Sequence, residues 1–381
     1  MHRKLIIFVF IINFTLCFGQ ILRPNTTGSF TYIPTAPLNT KPVEVFYHIP
    51  TGDINTMPIL FSFHGASRNG ADYRDFWISM ADANGFMVFA PEFSDTYYPT
   101  GDQYQSGNIF DDGDNPSLAT YNPINEWTFS IIDPLFEYIK ADVSSIQEVY
   151  NAWGHSGGAQ FLHRFVEYLP NSKLYIAVCS NSGWYTVPEY TYNFPYGLNE
   201  GQLLNETLTD AFSKKLIVHL GLDDIDPNSA GLRHNIVVDT QQGLYRLARG
   251  RYFFNTSQTT SLSMSVPFNW EKHEITGIGH DAQLMANDAL QFILNSTLSN
   301  QDYLTSKSFN IYPNPTSSNF VKFSTKLNTP ISVSVFNIFG EEIVKKIIEN
   351  RILNISNLIP GIYLIKIQSD TFSTTKKLIK K

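Results

Sequence analysis

Residues 149–162 read VYNAWGHSGGAQFL. The first five, Val149 to Trp153, form a short apolar run of β type. A helical stretch from Gln160 to Leu169 follows, stopped by Pro170. Between them lies the pentapeptide Gly154-His155-Ser156-Gly157-Gly158. A strand that passes into a helix through so few residues must turn sharply. The serine at the apex takes a strained conformation that exposes its hydroxyl, and glycines two before and two after it avoid a clash. The start of the helix behind Ser156 also favours negative charge developing there. Ser156 is therefore the candidate nucleophile.

Outward from this turn the chain alternates apolar strands with helices. Val43 to His48, Pro58 to Phe63, Phe86 to Ala90, Leu174 to Cys179 and Leu216 to Leu220 read as strands. Phe76 to Asn84, Trp127 to Lys140 and Asp281 to Leu294 read as helices. Strands that are apolar throughout are covered on both faces, so the expected fold class is α/β, a mostly parallel sheet covered by helices. The segment 97–125, rich in Asp, Gly, Asn, Pro and Tyr, has little periodicity and reads as a long functional or disordered insertion. A polar linker is expected over 298–305. After it come short β-type runs punctuated by Asn, Gly and Pro, the pattern of a small all-β sandwich over 306–381.

Charge divides the chain in the same place. Residues 306–381 carry 11 Lys/Arg against 4 Asp/Glu, whereas 20–305 carry 14 basic against 30 acidic residues. Two segments of opposite sign suggest two domains with different tasks. The acidic part has little with which to neutralise phosphates, so no nucleic-acid partner is expected. His2-Arg3-Lys4 followed by apolar residues to Phe18 has the form of a secretory signal over 1–19, cleaved before Gln20. No stretch is long and apolar enough for a membrane span. Removal of the signal leaves Cys179 as the one cysteine and no intramolecular disulfide.

A serine nucleophile needs a base, and the base needs an orienting carboxylate. The strand Leu216 to Leu220 runs into Gly221-Leu222-Asp223-Asp224-Ile225-Asp226-Pro227. Asp224, three after the glycine, is the preferred acid, with Asp226 next and Asp223 third. His280, in Gly277-Ile278-Gly279-His280 before the last helix, has the order and place of the base; His273 is the second choice. The oxyanion of such a reaction requires two backbone N–H donors. Gly157 supplies one, and Ala66, in Phe63-His64-Gly65-Ala66 after an early strand, supplies the other. Trp184 and Tyr185 follow the strand Leu174 to Cys179 and are candidate substrate contacts, either as an exposed aromatic wall or as core residues of a cap. Asp111 to Asn115 resembles a cation loop in composition but lacks a downstream Glu, so it reads as a solvated acidic loop and no metal is expected.

His64-Gly65-Ala66, the Ser156 pentapeptide, Gly221 to Asp224 and Gly279-His280 together resemble the α/β-hydrolase superfamily. The likeness is strongest to secreted esterases of the polyhydroxybutyrate depolymerase and feruloyl esterase kind. That resemblance implies a catalytic domain over 20–297 acting as a serine carboxylic-ester hydrolase without a cofactor, on a substrate that export suggests is polymeric. A peptidase on the same residues and a non-catalytic binding protein are the rival readings. Tyr312-Pro313-Asn314-Pro315, Val335 to Gly340, Leu358 to Tyr363 and the Lys-rich end resemble the C-terminal sorting domain of type IX secretion. This implies recognition by that secretion machinery, and an extracellular or cell-surface location reached through the periplasm.

Overall fold

The computed structural model describes residues 22–294, 310–324, 331–348, 351–368 and 373–381. The expected signal at 1–19 and linker at 298–305 lie outside these residues. Eight strands form the first sheet: β1 (Thr26–Tyr32), β2 (Val43–Ile49), β3 (Ile59–Phe63), β4 (Met87–Glu92), β5 (Tyr150–His155), β6 (Leu174–Ser180), β7 (Lys215–Gly221) and β8 (Trp270–Ile275). Their order is β1-β2-β4-β3-β5-β6-β7-β8. The six from β4 to β8 run parallel, and β1 and β2 extend one edge antiparallel.

Side chains alternate across each strand and separate two apolar cores. Phe61, Phe63, Tyr150, Ala152, Cys179 and Val218 face one core. It also holds residues of α3 (Ile132–Val143), α4 (Gly157–Tyr168) and α7 (Arg246–Met264). Leu60, Trp153, Val178 and Ile217 face the other, packed against Trp77, Met285 and Ala289. Every residue of α4 is buried, which explains why the chain keeps Gly, Ala and Phe in a helix carrying so few solvent-facing positions. Burial of these strands on both faces, at about 25 cal/mol per Å² of apolar surface, is what holds the β5–α4 turn in place.

Several expected elements have different bounds. The helix read over Trp127 to Lys140 begins as a 3₁₀ turn, Thr128–Ile131, and becomes α-helical at Ile132, which places Pro134 in the first turn where its missing N–H costs nothing. The helix read over Phe76 to Asn84 is α2 (Ile78–Asn84), and a separate, unforeseen helix α1 (Gly70–Asp75) precedes it. Unforeseen were β1, β8, α5 (Asn205–Ser213), α6 (Ile236–Gln242) and α7. Residues 282–294 are helical, here α8.

The C-terminal residues form two antiparallel sheets, β13-β10-β9 and β12-β11-β14-β15. These comprise β9 (Asn310–Tyr312), β10 (Phe320–Ser324), β11 (Ile331–Phe336), β12 (Glu342–Ile348), β13 (Ile352–Asn354), β14 (Gly361–Gln368) and β15 (Ser373–Lys380). Val321 and Leu353 from the first sheet share one core with Val333, Val335, Ile365 and Leu378 from the second, as in a sandwich.

Candidate active site

Ser156 occupies the single-residue turn between β5 and α4 with φ 56° and ψ −113°, a left-handed conformation that non-glycine residues adopt only under constraint. The constraint is packing. A Cβ on Gly158 would lie in hard contact with the Phe63 carbonyl oxygen of β3, and one on Gly154 with the Gly158 carbonyl. The two glycines therefore allow α4 to sit directly on β3 and β5. The Ser156 N–H donates to the Ser180 carbonyl at 2.9 Å, tying the turn to the end of β6.

Two loops from the far side of the sheet meet this serine. Ser156 Oγ lies 3.1 Å from His280 Nε2. His280 Nδ1–H donates to Asp224 Oδ2 at 2.8 Å, and Asp224 is almost fully buried. Asp226 is exposed and accepts from the Asn228 N–H, while the Asp223 N–H donates to the Ile278 carbonyl. His273 lies on β8 beside Asp288 instead of at the serine. Asn181, buried at the end of β6, holds the two loops together: its amide donates to Gly279 O and its carbonyl accepts from the Gly221 N–H, each at 2.8 Å.

Arg246, the first residue of α7, stands behind Asp224. Its Nη1 is 3.4 Å from Asp224 Oδ1 and donates to Ser229 Oγ at 2.6 Å. A cation opening a helix opposes the helix dipole, and the buried carboxylate beside it offsets that cost. His155 packs against His280, the two rings 4.5 Å apart. Burial first, and the neighbouring His280 second, push the His155 imidazole well below its usual pKa, so it stays neutral there.

On the opposite side of Ser156 the β3 loop approaches α4. The Ala66 nitrogen lies 3.1 Å from where a Cβ on Gly157 would stand, and both residues line one cleft with Ser156. The buried His64 shapes this loop. Its Nδ1–H donates to Gly65 O at 2.9 Å and its Nε2 accepts from the Phe93 N–H at 3.0 Å. Burial lowers its pKa to about 3, which preserves this neutral, doubly bonded state.

Ser156 lies where two clefts meet. One, of about 200 Å³, is lined by Ala66, Asp102, Gln105, Gln160, Trp184 and Arg233. The other, of about 390 Å³, runs past Ser67, Tyr73, Phe76, His155, Ala230 and His280. The segment 97–125 supplies one wall of the first, through Gly101 to Ser106, and is anchored by buried Tyr98, Tyr104 and Phe110. Of the two aromatic candidates, Trp184 lines the cleft, whereas Tyr185 is fully buried and stacked on Phe253 at 4.4 Å. Trp184 is itself buried, packed with Tyr196 and Val238, so the two aromatics are core residues beside the cleft and form no exposed wall. Sequence reasoning missed Arg246, Asn181, Gln105, Gln160, Asp102 and Arg233. All but Gln160, which opens the expected helix, sit on loops or at the start of the unforeseen α7, without periodicity to flag them.

Residues 310–381 match the family of secretion system C-terminal sorting domains, to which this part of the chain belongs. It directs the protein to type IX secretion. Among the described residues no helix is long and apolar enough to cross a membrane. The remainder of the chain belongs to the α/β-hydrolase superfamily, and the protein is a hydrolase. It is similar to poly(aspartic acid) hydrolase-1 from Sphingomonas sp. KT-1, with 34% identity, 71% of this chain and 99% of that chain covered, and a TM-score of 0.67. It is also similar to a poly(3-hydroxybutyrate) depolymerase from Bordetella parapertussis, with 29% identity, 70% and 89% covered, and a TM-score of 0.64. No curated protein sequence matches the chain.

Proposed function

We propose that the protein is an exported serine carboxylic-ester hydrolase acting on a polymeric or acylated-polysaccharide ester. The observation that carries this reading is the hydrogen-bonded line from Ser156 through His280 to buried Asp224, with distances of 3.1 and 2.8 Å. Ser156 Oγ attacks the ester carbonyl while His280 Nε2 takes its proton, and the bond Nδ1–H makes to Asp224 holds the imidazole in the required tautomer. The N–H groups of Ala66 and Gly157 donate to the oxyanion. His280 then protonates the leaving alcohol, and water attacks the acyl-enzyme with the same residue as base. No step requires a cofactor. Trp184 lines the cleft that would receive the chain. The sorting domain brings the enzyme through the periplasm to the cell surface or the medium, where it is removed.

A second reading has a specific observation in its favour. Arg233 borders the cleft, 38% exposed in its side chain, and the Sphingomonas relative is a hydrolase of a polyanion whose links are amides. A carboxylate-bearing polyamide would meet that guanidinium. The deciding experiment is hydrolysis of p-nitrophenyl esters of rising chain length, poly(3-hydroxybutyrate) and poly(aspartate) by the full chain and its Ser156→Ala variant. Ester turnover that vanishes in the variant supports the first reading, and release of amines from poly(aspartate) supports the second. Failure of a fluorophosphonate to label Ser156 would sink both and favour a non-catalytic surface-binding protein.

A further inference from the structure

A second cluster of chemistry-bearing side chains lies on β7, β8 and α8, the elements that flank the loops of Asp224 and His280. His219 on β7 and His273 on β8 are directly paired across the parallel ladder. Asp288 reaches them from α8. His219 Nε2 is 2.9 Å from Asp288 Oδ2, and His273 Nε2 is 2.9 Å from the same oxygen. The three donor atoms all fall within 4.8 Å of one another. From this convergence we propose that His219, His273 and Asp288 form a binding site for a divalent cation of the zinc class.

Two imidazoles and a carboxylate make a mixed nitrogen and oxygen donor set that suits zinc, with a fourth position left for water. Ligand atoms about 2.0–2.2 Å from zinc at tetrahedral angles stand roughly 3.3 Å apart, so the observed spacings of the carboxylate need only a few tenths of an ångström. A metal-bound imidazole is ordinarily held by a partner at its other nitrogen. His219 has one: its Nδ1 is 2.8 Å from Ser180 Oγ, which in turn accepts from Trp153 Nε1–H at 2.9 Å. Phe292 packs against both imidazoles, ring centres 6.0 and 5.1 Å away, and gives the cluster an apolar flank. His219 is fully buried, while the side chains of Asp288 and His273 are 19% and 34% exposed, which opens one side to an entering ion.

The ion has a structural role. Asp224 follows His219 on the loop after β7, and His280 lies between His273 and Asp288. One cation on these residues would pin together the strands and the helix that present both loops. Without it, the same atoms form a trio in which two imidazole N–H groups donate to one oxygen. Binding therefore competes with an existing hydrogen-bonded arrangement, and affinity decides between them.

The test uses the untagged full chain, stripped with chelator, and ZnCl₂ as probe. Calorimetric titration and elemental analysis after dialysis are expected to give about one zinc per chain, with a rise in the melting temperature. Replacing zinc by Co²⁺ is expected to give the visible absorption of a four- or five-coordinate ion. His273→Gln and Asp288→Asn, both at partly exposed positions, are each expected to weaken binding more than tenfold. Ser180→Ala, which leaves all three ligands in place, is expected to weaken it by roughly tenfold. The proposal is overturned if the wild-type chain takes up no zinc at 100-fold excess, or if folded His273→Gln and Asp288→Asn bind it as tightly as wild type.

Discussion

Asp224→Asn tests the orientation argument more sharply than removal of the serine does. The replacement is isosteric, and its amide must settle between two neighbours, His280 Nδ1 at 2.8 Å and Arg246 Nη1 at 3.4 Å. Arg246 is a donor with no acceptor capacity, so it selects the carbonyl end of the amide. The NH₂ group is thereby aimed at His280 Nδ1 and forces that nitrogen to be the acceptor. The ring proton moves to Nε2, facing Ser156 Oγ, and the imidazole can no longer take a proton from the serine. The expected loss in kcat is about 10⁴-fold, which corresponds to about 5 kcal/mol of transition-state stabilisation. KM for a short p-nitrophenyl ester should be little changed. The buried guanidinium loses its counter-ion but keeps Ser229 and Ala230 as acceptors, so the fold should cost no more than about 1–3 kcal/mol.

Adding Arg246→Met to Asp224→Asn removes the group that selects the amide orientation. The carbonyl can then turn to His280 Nδ1–H, and roughly tenfold of the lost kcat should return. Steady-state kinetics on both variants, with circular dichroism to establish folding, decides the matter. A folded Asp224→Asn enzyme within tenfold of wild type would refute the assignment of Asp224. A double variant no faster than the single would refute the role given to Arg246.

Gly158→Ala is expected to lose both stability and activity, because its Cβ meets the Phe63 and His64 carbonyls and α4 must retreat from β3; overpacking costs of about 1–3 kcal/mol should appear in the melting temperature. Arg233→Gln should lower kcat/KM about 10- to 100-fold on carboxylate-bearing substrates and leave neutral esters unaffected, the difference a charge-assisted hydrogen bond makes; equal effects on both would remove Arg233 from substrate contact. Burial depresses the imidazole pKa of His64, His155, His163 and His219, so the folded state binds fewer protons than the unfolded chain between the unfolded value near 6.5 and the lowered ones. Their stabilisation is complete above about pH 6.5 and is lost as pH falls, by up to about 1.4 kcal/mol per pH unit for each, opposed by Glu167, whose pKa burial raises; urea midpoints that stay flat between pH 7.5 and 5.5 would contradict this.

The centre of the fold was legible in the sequence because there local and global signals agree. Val149 to Trp153 is apolar since β5 is buried on both faces, and the glycine spacing around Ser156 records how closely α4 approaches β3. Legibility fell off toward the edges. The β8 strand, Trp270–Ile275, is mostly polar because it borders the sheet, so it carries no apolar run to find. The α7 helix hides for a different reason: its 19 residues hold many Ser and Thr and a glycine, Gly250, required by the approach of Leu220. An apolar stripe is therefore almost absent. Without α7 there was no way to place Arg246 behind Asp224. The cleft residues were out of reach for a third reason, since Asp102, Gln160 and Arg233 meet only through tertiary packing of segments far apart in sequence.

The arrangement around Trp184 bears on which substrates the cleft suits. The indole is flanked by two guanidinium groups, Arg164 at 4.1 Å and Arg233 at 5.0 Å from the ring. Arg164 is fully buried and bonded to Thr186 Oγ1 and to the Gln105 and Gln160 carbonyls, so it fixes the ring and two cleft residues from behind. Arg233 is held less firmly, by exposed Asp114 and the Tyr196 hydroxyl. An arginine already satisfied by a rim carboxylate can exchange it for a substrate carboxylate at little cost, since exposed ion pairs contribute only about 0–1 kcal/mol. A neutral polyester needs no such exchange. Arg233 would thus admit an anionic chain without excluding a neutral one. Ser156 borders both clefts, so either kind of chain would have room to continue past the bond that is cut. That favours substrates longer than a single ester over a small molecule filling one pocket.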